Sequence, residues 1–416
     1  MLYPSSPTVR LFTLGCKVNQ CDAEEIARAL AARGYRVLGR GMSADVYVVN
    51  TCTVTGTADA KARKLIHLLA REHPEATLVV TGCLAQRAPE AMAALEGVDA
   101  VVPNTQKASL PDVIASLRPA SGGPAPRPET TRGRAFVKLQ DGCDHQCAYC
   151  AVPGARGEMR SKPFAEALAE MQCLADLGTP EVVLGGIRLG AYGRDSGEGE
   201  LASFLRDLRS RPIPRIRLSS IEPMDVTDAF LEEIADHPRL CHHLHLPLQS
   251  GDDGVLAAMG RTYTSAQFAA LVARLRATWP DLGLSTDVLV GFPGEAEEAH
   301  RGTLDFVREQ RFSRLHVFPY SPRPGTPAGD RPDLPAATKQ ARAAEMLALA
   351  DTLAEEAARA WVGRPVSVLF ESRDGEGRLT GLTEQYLRLR TEGAAGRIGE
   401  IVTLTPTSTE AGELRA

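Results

Sequence analysis

The chain has 416 residues, of which 44% are hydrophobic and 24% are charged, and its formal net charge is −5. This length predicts two or three domains of an ordinary globular protein, and the net charge gives no overall signal for nucleic-acid binding. Any RNA contact must therefore come from a local basic surface. No apolar run approaches the roughly 20 residues of a membrane span, and residues 1–4 lack a secretory signal pattern. We therefore expect a cytoplasmic protein without membrane contact.

The first 118 residues alternate apolar, strand-like runs with helical patterns. The strand-like runs cover residues 9–14, 46–49, 78–80 and 100–102, and the helical patterns include residues 23–33, 57–72 and 89–95. Short β-rich runs separated by helices indicate βαβ units and a parallel sheet. Residues 1–118 are therefore predicted to be an α/β domain.

Three of these strands lead into a cysteine, namely Cys16, Cys52 and Cys83. Sites in open parallel sheets form outside the carboxyl ends of the strands. We therefore expect the three thiols to converge, although they are distant in sequence. Cys21 lies one helical turn after Cys16 and follows no strand, so we expect it to stand apart. Cys173 and Cys241 are expected to be small packing residues.

Residues 119–133 are dense in Pro, Gly and Ser, which predicts a linker. A second series of strands follows at residues 136–139, 181–184, 215–218, 243–246, 283–290 and 314–319, with helical stretches between most of them. Six such units predict a partial (β/α)6 barrel over residues 134–355. A long helix is expected at residues 336–360. Short strands with Gly-rich turns then predict a small β-barrel over residues 356–416.

A cysteine triplet, Cys143, Cys147 and Cys150, directly follows the first strand of the second domain. A closed structural metal site needs four protein ligands, whereas three thiolates on a four-iron cluster leave one iron open. A zinc site would need a fourth ligand, and His145 is poorly placed within the triplet to supply it. Disulfides are not expected, because nothing in the chain indicates secretion.

Small or polar residues recur at the ends of later strands, and in one case within a strand, where a cofactor would lie. These candidates are Gly185, Gly186, Glu222, Gln249 and Asp287. Taken singly, each also has a structural explanation, such as a turn or a helix cap. The cluster of His242, His243 and His245 alternates with Leu244 as strand residues do, so metal ligation is not expected there.

Basic residues gather on both sides of the triplet. They are Arg127, Arg132, Arg134, Lys138, Arg156, Arg160 and Lys162. The simplest interpretation is a solvated face, but an anionic substrate would also use them. Arg261 and Tyr263 are candidates to join this surface, with the tyrosine offering a stacking face for a base.

The motifs Gly15-Cys16-Lys17-Val18-Asn19-Gln20, Asn50-Thr51-Cys52 and Thr81-Gly82-Cys83, together with the 143–150 triplet, resemble the radical S-adenosylmethionine (SAM) methylthiotransferases. The resemblance covers nearly the whole chain, and the tail is similar to an RNA-binding TRAM domain. Of the family's three branches, the chain most resembles that acting on threonylcarbamoyladenosine in tRNA. Gly154, Gly185 and Arg188 depart from the usual pattern of that branch.

The resemblance implies two 4Fe-4S clusters. Cys143, Cys147 and Cys150 would hold the cluster that binds SAM, and Cys16, Cys52 and Cys83 would hold an auxiliary cluster that carries the transferred sulfur. Gly185, Gly186, Glu222, Gln249 and Asp287 would contact SAM. The partners would be a tRNA anticodon stem-loop and a flavodoxin- or ferredoxin-like electron donor. The alternatives are a family member acting on isopentenyladenosine in tRNA or on an aspartate of a ribosomal protein, and a non-enzymatic iron–sulfur protein that binds RNA or senses redox state.

Overall fold

The structure, a computed structural model, describes residues 6–39, 41–120, 133–392 and 396–416. Most of the predicted linker, including Arg127 and Arg132, lies outside the described residues. Within them, no helix combines the length and the apolar character needed to cross a membrane.

The N-terminal region is built on a five-stranded parallel sheet in the order β2-β1-β3-β4-β5. Its elements are β1 (Thr8–Thr13), α1 (Lys17–Ala32), β2 (Arg36–Val37), β3 (Val46–Thr51), α2 (Gly56–Glu72), β4 (Thr77–Gly82), α3 (Cys83–Arg87), α4 (Pro89–Ala93), β5 (Ala100–Pro103) and α5 (Leu110–Leu117). The two central strands, β3 and β4, are buried along their whole length, which explains their continuous apolar runs. The predicted parallel α/β architecture of this region is confirmed.

The middle region contains six parallel strands that follow one another in chain order, which we call the parallel array. Strands β6, β8 and β9 pair in one sheet and β10, β11 and β12 in another, and isolated parallel bridges join β9 to β10. The elements are β6 (Arg134–Asp141), α6 (Val152–Arg156), β7 (Arg160–Ser161), α7 (Phe164–Asp176), β8 (Glu181–Gly186), α8 (Leu201–Leu208), β9 (Arg215–Leu218), α9 (Asp228–Ala235), β10 (His243–His245), α10 (Asp253–Ala258), α11 (Ser265–Thr278), β11 (Gly283–Val290), α12 (Glu297–Gln310) and β12 (Arg314–Pro319).

The C-terminal region is a long helix followed by a mainly antiparallel six-stranded sheet in the order β16-β13-β14-β15-β18-β17. Its elements are α13 (Ala336–Arg359), β13 (Val366–Arg373), β14 (Leu379–Thr383), β15 (Arg388–Thr391), β16 (Ile401–Leu404), β17 (Ser408–Glu410) and β18 (Glu413–Arg415). The predicted β-rich tail is therefore present. Strand β14 contains Gly381, which pairs with Phe370 of β13. A Cβ on Gly381 would lie 2.2 Å from the carbonyl oxygen of Leu369, so the neighbouring strand excludes any side chain there.

The loop between β14 and β15 docks against the parallel array. Arg217 on β9 donates to the carbonyl oxygens of Thr383 and Glu384, both at 2.9 Å. Tyr386 adopts the left-handed backbone conformation at φ 68°, and its ring stacks on His243 with centroids 4.6 Å apart. The C-terminal region is thereby fixed to the strands that carry the predicted cofactor residues.

Candidate functional site

The three N-terminal cysteines lie at one edge of the first sheet. The parallel register aligns Thr13 with Asn50 and Asn50 with Thr81, so Cys16, Cys52 and Cys83 follow strands that end at the same level. Gly15 (φ +96°) lies tightly against this edge, since a Cβ there would be 2.7 Å from the Cys52 sulfur. The sheet topology therefore brings the predicted triplet together.

Polar side chains hold this edge and donate to its sulfurs. Asn19 donates to the Leu14 and Thr51 carbonyl oxygens at 2.6 and 3.0 Å, which ties the start of α1 to β3. The Asn104 amide donates to the Cys83 sulfur at 3.4 Å, and the Val54 backbone N–H donates to the Cys52 sulfur at 3.5 Å. Hydrogen bonds to cysteine sulfur tune iron–sulfur centres, so these donors suit a metal-bound thiolate.

The second triplet lies on the loop that follows β6. The backbone N–H of Cys150 donates to the Cys147 carbonyl at 3.0 Å, and Ala148 N–H donates to the Met259 carbonyl at 2.8 Å. Each sulfur has a donor at 3.4 Å: His145 N–H for Cys143, the Arg261 guanidinium for Cys147, and Val152 N–H for Cys150. The loop thus presents three thiols with the same kind of donor as the N-terminal triplet.

The sulfurs of neither triplet are gathered as the ligands of a single zinc ion would be. Three thiolates on one zinc ion would lie within about 4 Å of one another, given Zn–S bonds of about 2.3 Å. In the described part of the chain, only His245, Asp287 and His316 bring three ligand atoms within 4.8 Å, and neither cysteine triplet does. Burial raises the pKa of Cys52 to about 11 and that of Cys150 to about 12. These thiols therefore stay protonated at neutral pH unless a metal displaces the proton.

A buried network of charges joins the two triplets. Arg156, which is 2% exposed, donates to Asp141 on β6 at 2.8 Å and to Asp22 on α1 at 2.8 Å. The ammonium groups of Lys107 and Lys138 also contact Asp22. Burial alone would raise the pKa of Asp22, but these three cations hold it well below its usual range. The start of α1, beside Cys16, is thereby bonded to the segment that follows the second triplet.

Arg156 and Lys138 are therefore not part of a solvated face. Lys138 pairs with Asp22 and Glu25, and the guanidinium of Arg156 also reaches the Asn19 side-chain oxygen. Tyr263 is 8% exposed and donates to backbone carbonyls at 2.8 Å, so its ring offers no open stacking face. No spacing signal in the sequence distinguishes these buried cations from the exposed Arg160.

The predicted SAM residues occupy different surroundings. Glu222 pairs with Arg261, the residue that donates to Cys147, so Glu222 lies beside the second triplet. Gln249 has a left-handed backbone at φ 70°, and its N–H donates to the Asp287 carbonyl at 2.9 Å. Asp287 accepts from His245 Nε2 at 3.2 Å. These three residues line strand ends or strands of the parallel array.

The two glycines are packed against protein atoms. A Cβ on Gly185 would lie 2.8 Å from the Cys21 sulfur, and one on Gly186 would lie 3.0 Å from Leu189. Cys21 is fully buried with Phe136 and Val183 of the parallel array. Gly185 therefore makes room for α1, and Cys21 packs against the parallel array instead of the N-terminal triplet.

The remaining cysteines and histidines are accounted for by packing and hydrogen bonds. Cys241 is buried, whereas Cys173 is half-buried on α7. His243 and His245 both hydrogen-bond to the Ser285 hydroxyl at 3.0 Å. His316 on β12 was not identified from the sequence. Its ring nitrogen lies within 4.8 Å of ligand atoms of His245 and Asp287.

Two family profiles match the chain. The profile described as uncharacterized protein family UPF0004 matches residues 8–103, and that of the radical SAM superfamily matches residues 137–307. Threonylcarbamoyladenosine tRNA methylthiotransferase MtaB of Bacillus subtilis is 38% identical, over 95% of this chain and 92% of the relative. MtaB of Thermotoga maritima is also 38% identical, over 94% and 93%. A tRNA-2-methylthio-N6-dimethylallyladenosine synthase of Cereibacter sphaeroides is 36% identical, over 94% and 93%.

Two solved structures share the fold of the chain. The radical SAM methyltransferase TsrM from Kitasatospora setae aligns with a TM-score of 0.57 at 17% identity, over 78% of this chain and 77% of that one. The radical SAM enzyme OxsB aligns with a TM-score of 0.53 at 13% identity, over 78% and 54%. At this identity the likeness concerns the fold alone.

Proposed function

The chain belongs to the radical SAM methylthiotransferase family, and we propose that it converts N6-threonylcarbamoyladenosine next to the tRNA anticodon into its 2-methylthio derivative. The observation that carries this proposal is 38% identity to two MtaB enzymes over 94% to 95% of the chain. The presence of two cysteine triplets joined by buried contacts supports it. The reaction takes place on an unactivated aromatic C–H bond, which no side chain is basic enough to deprotonate.

The second triplet would hold the 4Fe-4S cluster that binds SAM, and Cys16, Cys52 and Cys83 would hold the auxiliary cluster. When bound, these groups supply the one-electron chemistry that opens the C–H bond and the sulfur that is transferred. The chain's own residues position them. Arg261 donates to Cys147 and orients Glu222, whose carboxylate would accept hydrogen bonds from SAM.

The structure supports the other predicted SAM contacts to different degrees. Gln249 and Asp287 are linked through a backbone hydrogen bond, and both would contact SAM. Gly186 is the last residue of β8 and pairs with Gln140 of β6, so it would contact SAM at the end of that strand. Gly185 has the weakest support, because α1 covers it.

The parallel array would form a partial (β/α)6 barrel, and the C-terminal sheet would be a TRAM-like domain that holds the anticodon stem-loop. A flavodoxin- or ferredoxin-like protein would supply electrons. Because the substrate is tRNA, we place the enzyme in the cytoplasm. The domain boundaries proposed for these units are residues 1–118, 134–355 and 356–416, with the linker at 119–133.

Anaerobic reconstitution followed by iron analysis and SAM cleavage tests this proposal. Two clusters require about eight irons per chain, and dithionite with SAM should release 5′-deoxyadenosine. About four irons would contradict the second cluster. Intact SAM would favour the non-enzymatic alternative. The isopentenyladenosine and ribosomal-protein alternatives are distinguished by the product, measured by mass spectrometry of nucleosides and of ribosomal proteins.

A further inference from the structure

One face of β12 carries a row of three side chains that have no role in the proposed mechanism. Alternation along the strand buries Leu315 in the core and turns Arg314, His316 and Phe318 to the opposite side. They pair in register with Ser285, Asp287 and Leu289 of β11. Arg314 is exposed and Phe318 is 38% exposed. A cation and an aromatic ring therefore lie on the same face of β12, roughly 13 Å apart along the strand.

Lys17 reaches the same place from the N-terminal region. Its Nζ lies 5.0 Å from the Tyr386 ring centroid, and the Arg314 guanidinium lies 5.6 Å from the same centroid. Among the described residues, neither cation makes an ion pair or a side-chain hydrogen bond with another residue. The aromatic face that each cation contacts attracts it less strongly than a carboxylate would.

The acidic groups nearby are already engaged. Asp287 contacts His245 Nε2 at 3.2 Å, and Glu181 is bonded to Arg217 at 2.9 Å. The His243 ring stacks on Tyr386, and its Nδ1 is buried without a hydrogen-bond partner in the described residues. The Arg217 guanidinium lies 5.0 Å from the same ring centroid, but it is paired with Glu181. Lys17 and Arg314 are the two cations at this ring without a carboxylate partner among the described residues, and together they form a site for an anion.

We propose that Lys17 and Arg314 bind the carboxylate of the threonylcarbamoyl group and that Phe318 lies against the adenine. This inference rests on the proposed function, which supplies a substrate whose N6 group ends in a carboxylate. The dimethylallyl group of the related substrate has no charge. Lys17 directly follows Cys16, so the same residues that hold the carboxylate place the base beside the N-terminal triplet. The pair thereby selects the acidic substrate over the neutral one.

Binding of the full-length protein to three anticodon stem-loop RNAs tests this. The RNAs carry threonylcarbamoyladenosine, its methyl ester, or dimethylallyladenosine at one position, and their dissociation constants are measured by fluorescence anisotropy. We expect the acid to bind about tenfold more tightly than the ester, the effect of a hydrogen bond to a charged group. Arg314→Gln and Lys17→Met should each remove most of this preference. Arg301→Gln, at an exposed position on α12, should retain it.

Equal binding of acid and ester by the wild type, or a full preference in both variants, would overturn the proposal. Failure of the proposed function is a separate result: the wild type would prefer the acid RNA but leave it without a methylthio group after incubation with SAM and reductant. Measuring iron in Lys17→Met checks that the change next to Cys16 leaves the metal site intact. Arg314→Gln tests recognition of the same carboxylate at a position that is not adjacent to a cluster cysteine.

Discussion

The two cysteine triplets are built in opposite ways. Cys143, Cys147 and Cys150 lie within one loop, so their spacing alone brings them together. Cys16, Cys52 and Cys83 come from three different strands, so only the folded sheet makes them neighbours. A local site depends on its loop, whereas a distributed site depends on the register of a whole domain. The second kind should therefore be more sensitive to changes in backbone geometry.

Removing one cysteine from each triplet should have the largest effect and separate their functions. Cys147→Ala and Cys52→Ala should each lower the iron content from about eight to about four per chain. Cys147→Ala should abolish SAM cleavage, whereas Cys52→Ala should still release 5′-deoxyadenosine but form no methylthio product. Iron analysis and chromatography of the reaction measure both quantities. Loss of SAM cleavage in both variants would contradict the assignment of SAM cleavage to the second triplet alone.

Arg156→Met should uncouple the two sites. Removing one partner from a buried charge network leaves Asp22 and Asp141 partly uncompensated, which costs about 3 kcal/mol of stability. The urea unfolding curve of the metal-free protein measures this cost. Arg206→Met is the matched control, because the Arg206 side chain is 64% exposed and its partner Glu233 keeps a second ion pair with Arg209, so the loss should cost less than about 1 kcal/mol.

Arg156→Met should also unfold at a higher pH than the wild type when acid is added. The pKa of Asp22 is depressed in the folded protein, so its contribution to stability is present at neutral pH and is lost as the pH falls below the unfolded value of about 4. Weaker depression in Arg156→Met should therefore shift acid unfolding to higher pH. Identical stability of Arg156→Met and Arg206→Met at every pH would contradict a bridging network.

Gly82→Ala should damage only the distributed site. Gly82 has φ +100°, and a Cβ there would lie 2.4 Å from the Thr51 carbonyl oxygen, so alanine would displace the end of β4 at a cost of about 2 kcal/mol. We expect about four irons per chain and retained SAM cleavage. Gly154→Ala, with nothing within 4 Å of its Cβ position, should behave as the wild type. Equal iron content in the two variants would contradict the dependence on backbone register.

Cys21→Ala should have the smallest effect. Its sulfur packs against Gly185 of the parallel array, so the substitution should cost about 1 kcal/mol of packing and leave the iron content near eight. Cys16→Ala, one helical turn earlier, should lose about half of the iron. Iron analysis of the two variants side by side makes this comparison. Equal iron loss would place Cys21 among the ligands.

The fold elements that could be predicted from the sequence are those with strong hydrophobic periodicity. Strands β9, β11 and β12 begin and end where their patterns predicted. Helix α1 begins at Lys17 instead of residue 23, because its first two turns carry the polar residues Asn19 and Asp22. Those residues are buried by contacts with other regions, which a pattern along one segment cannot reveal.

Some residues of the candidate site could likewise be predicted from the sequence, and others could not. Both cysteine triplets follow from spacing or from sheet topology, so they could be proposed before the structure. Arg156 and Tyr386 could not, because their surroundings come from residues in other domains. The burial of an arginine depends on the charges that face it across an interface, and a basic composition is equally typical of a solvated face.

The central claim is that the two triplets act together on one modified adenosine. Reconstituted protein is incubated with SAM, dithionite and an anticodon stem-loop RNA that contains threonylcarbamoyladenosine, and its nucleosides are analysed by mass spectrometry. We expect 2-methylthio-threonylcarbamoyladenosine from the wild type and none from Cys52→Ala. Unmodified threonylcarbamoyladenosine from a wild-type protein that holds about eight irons and cleaves SAM would contradict the assignment.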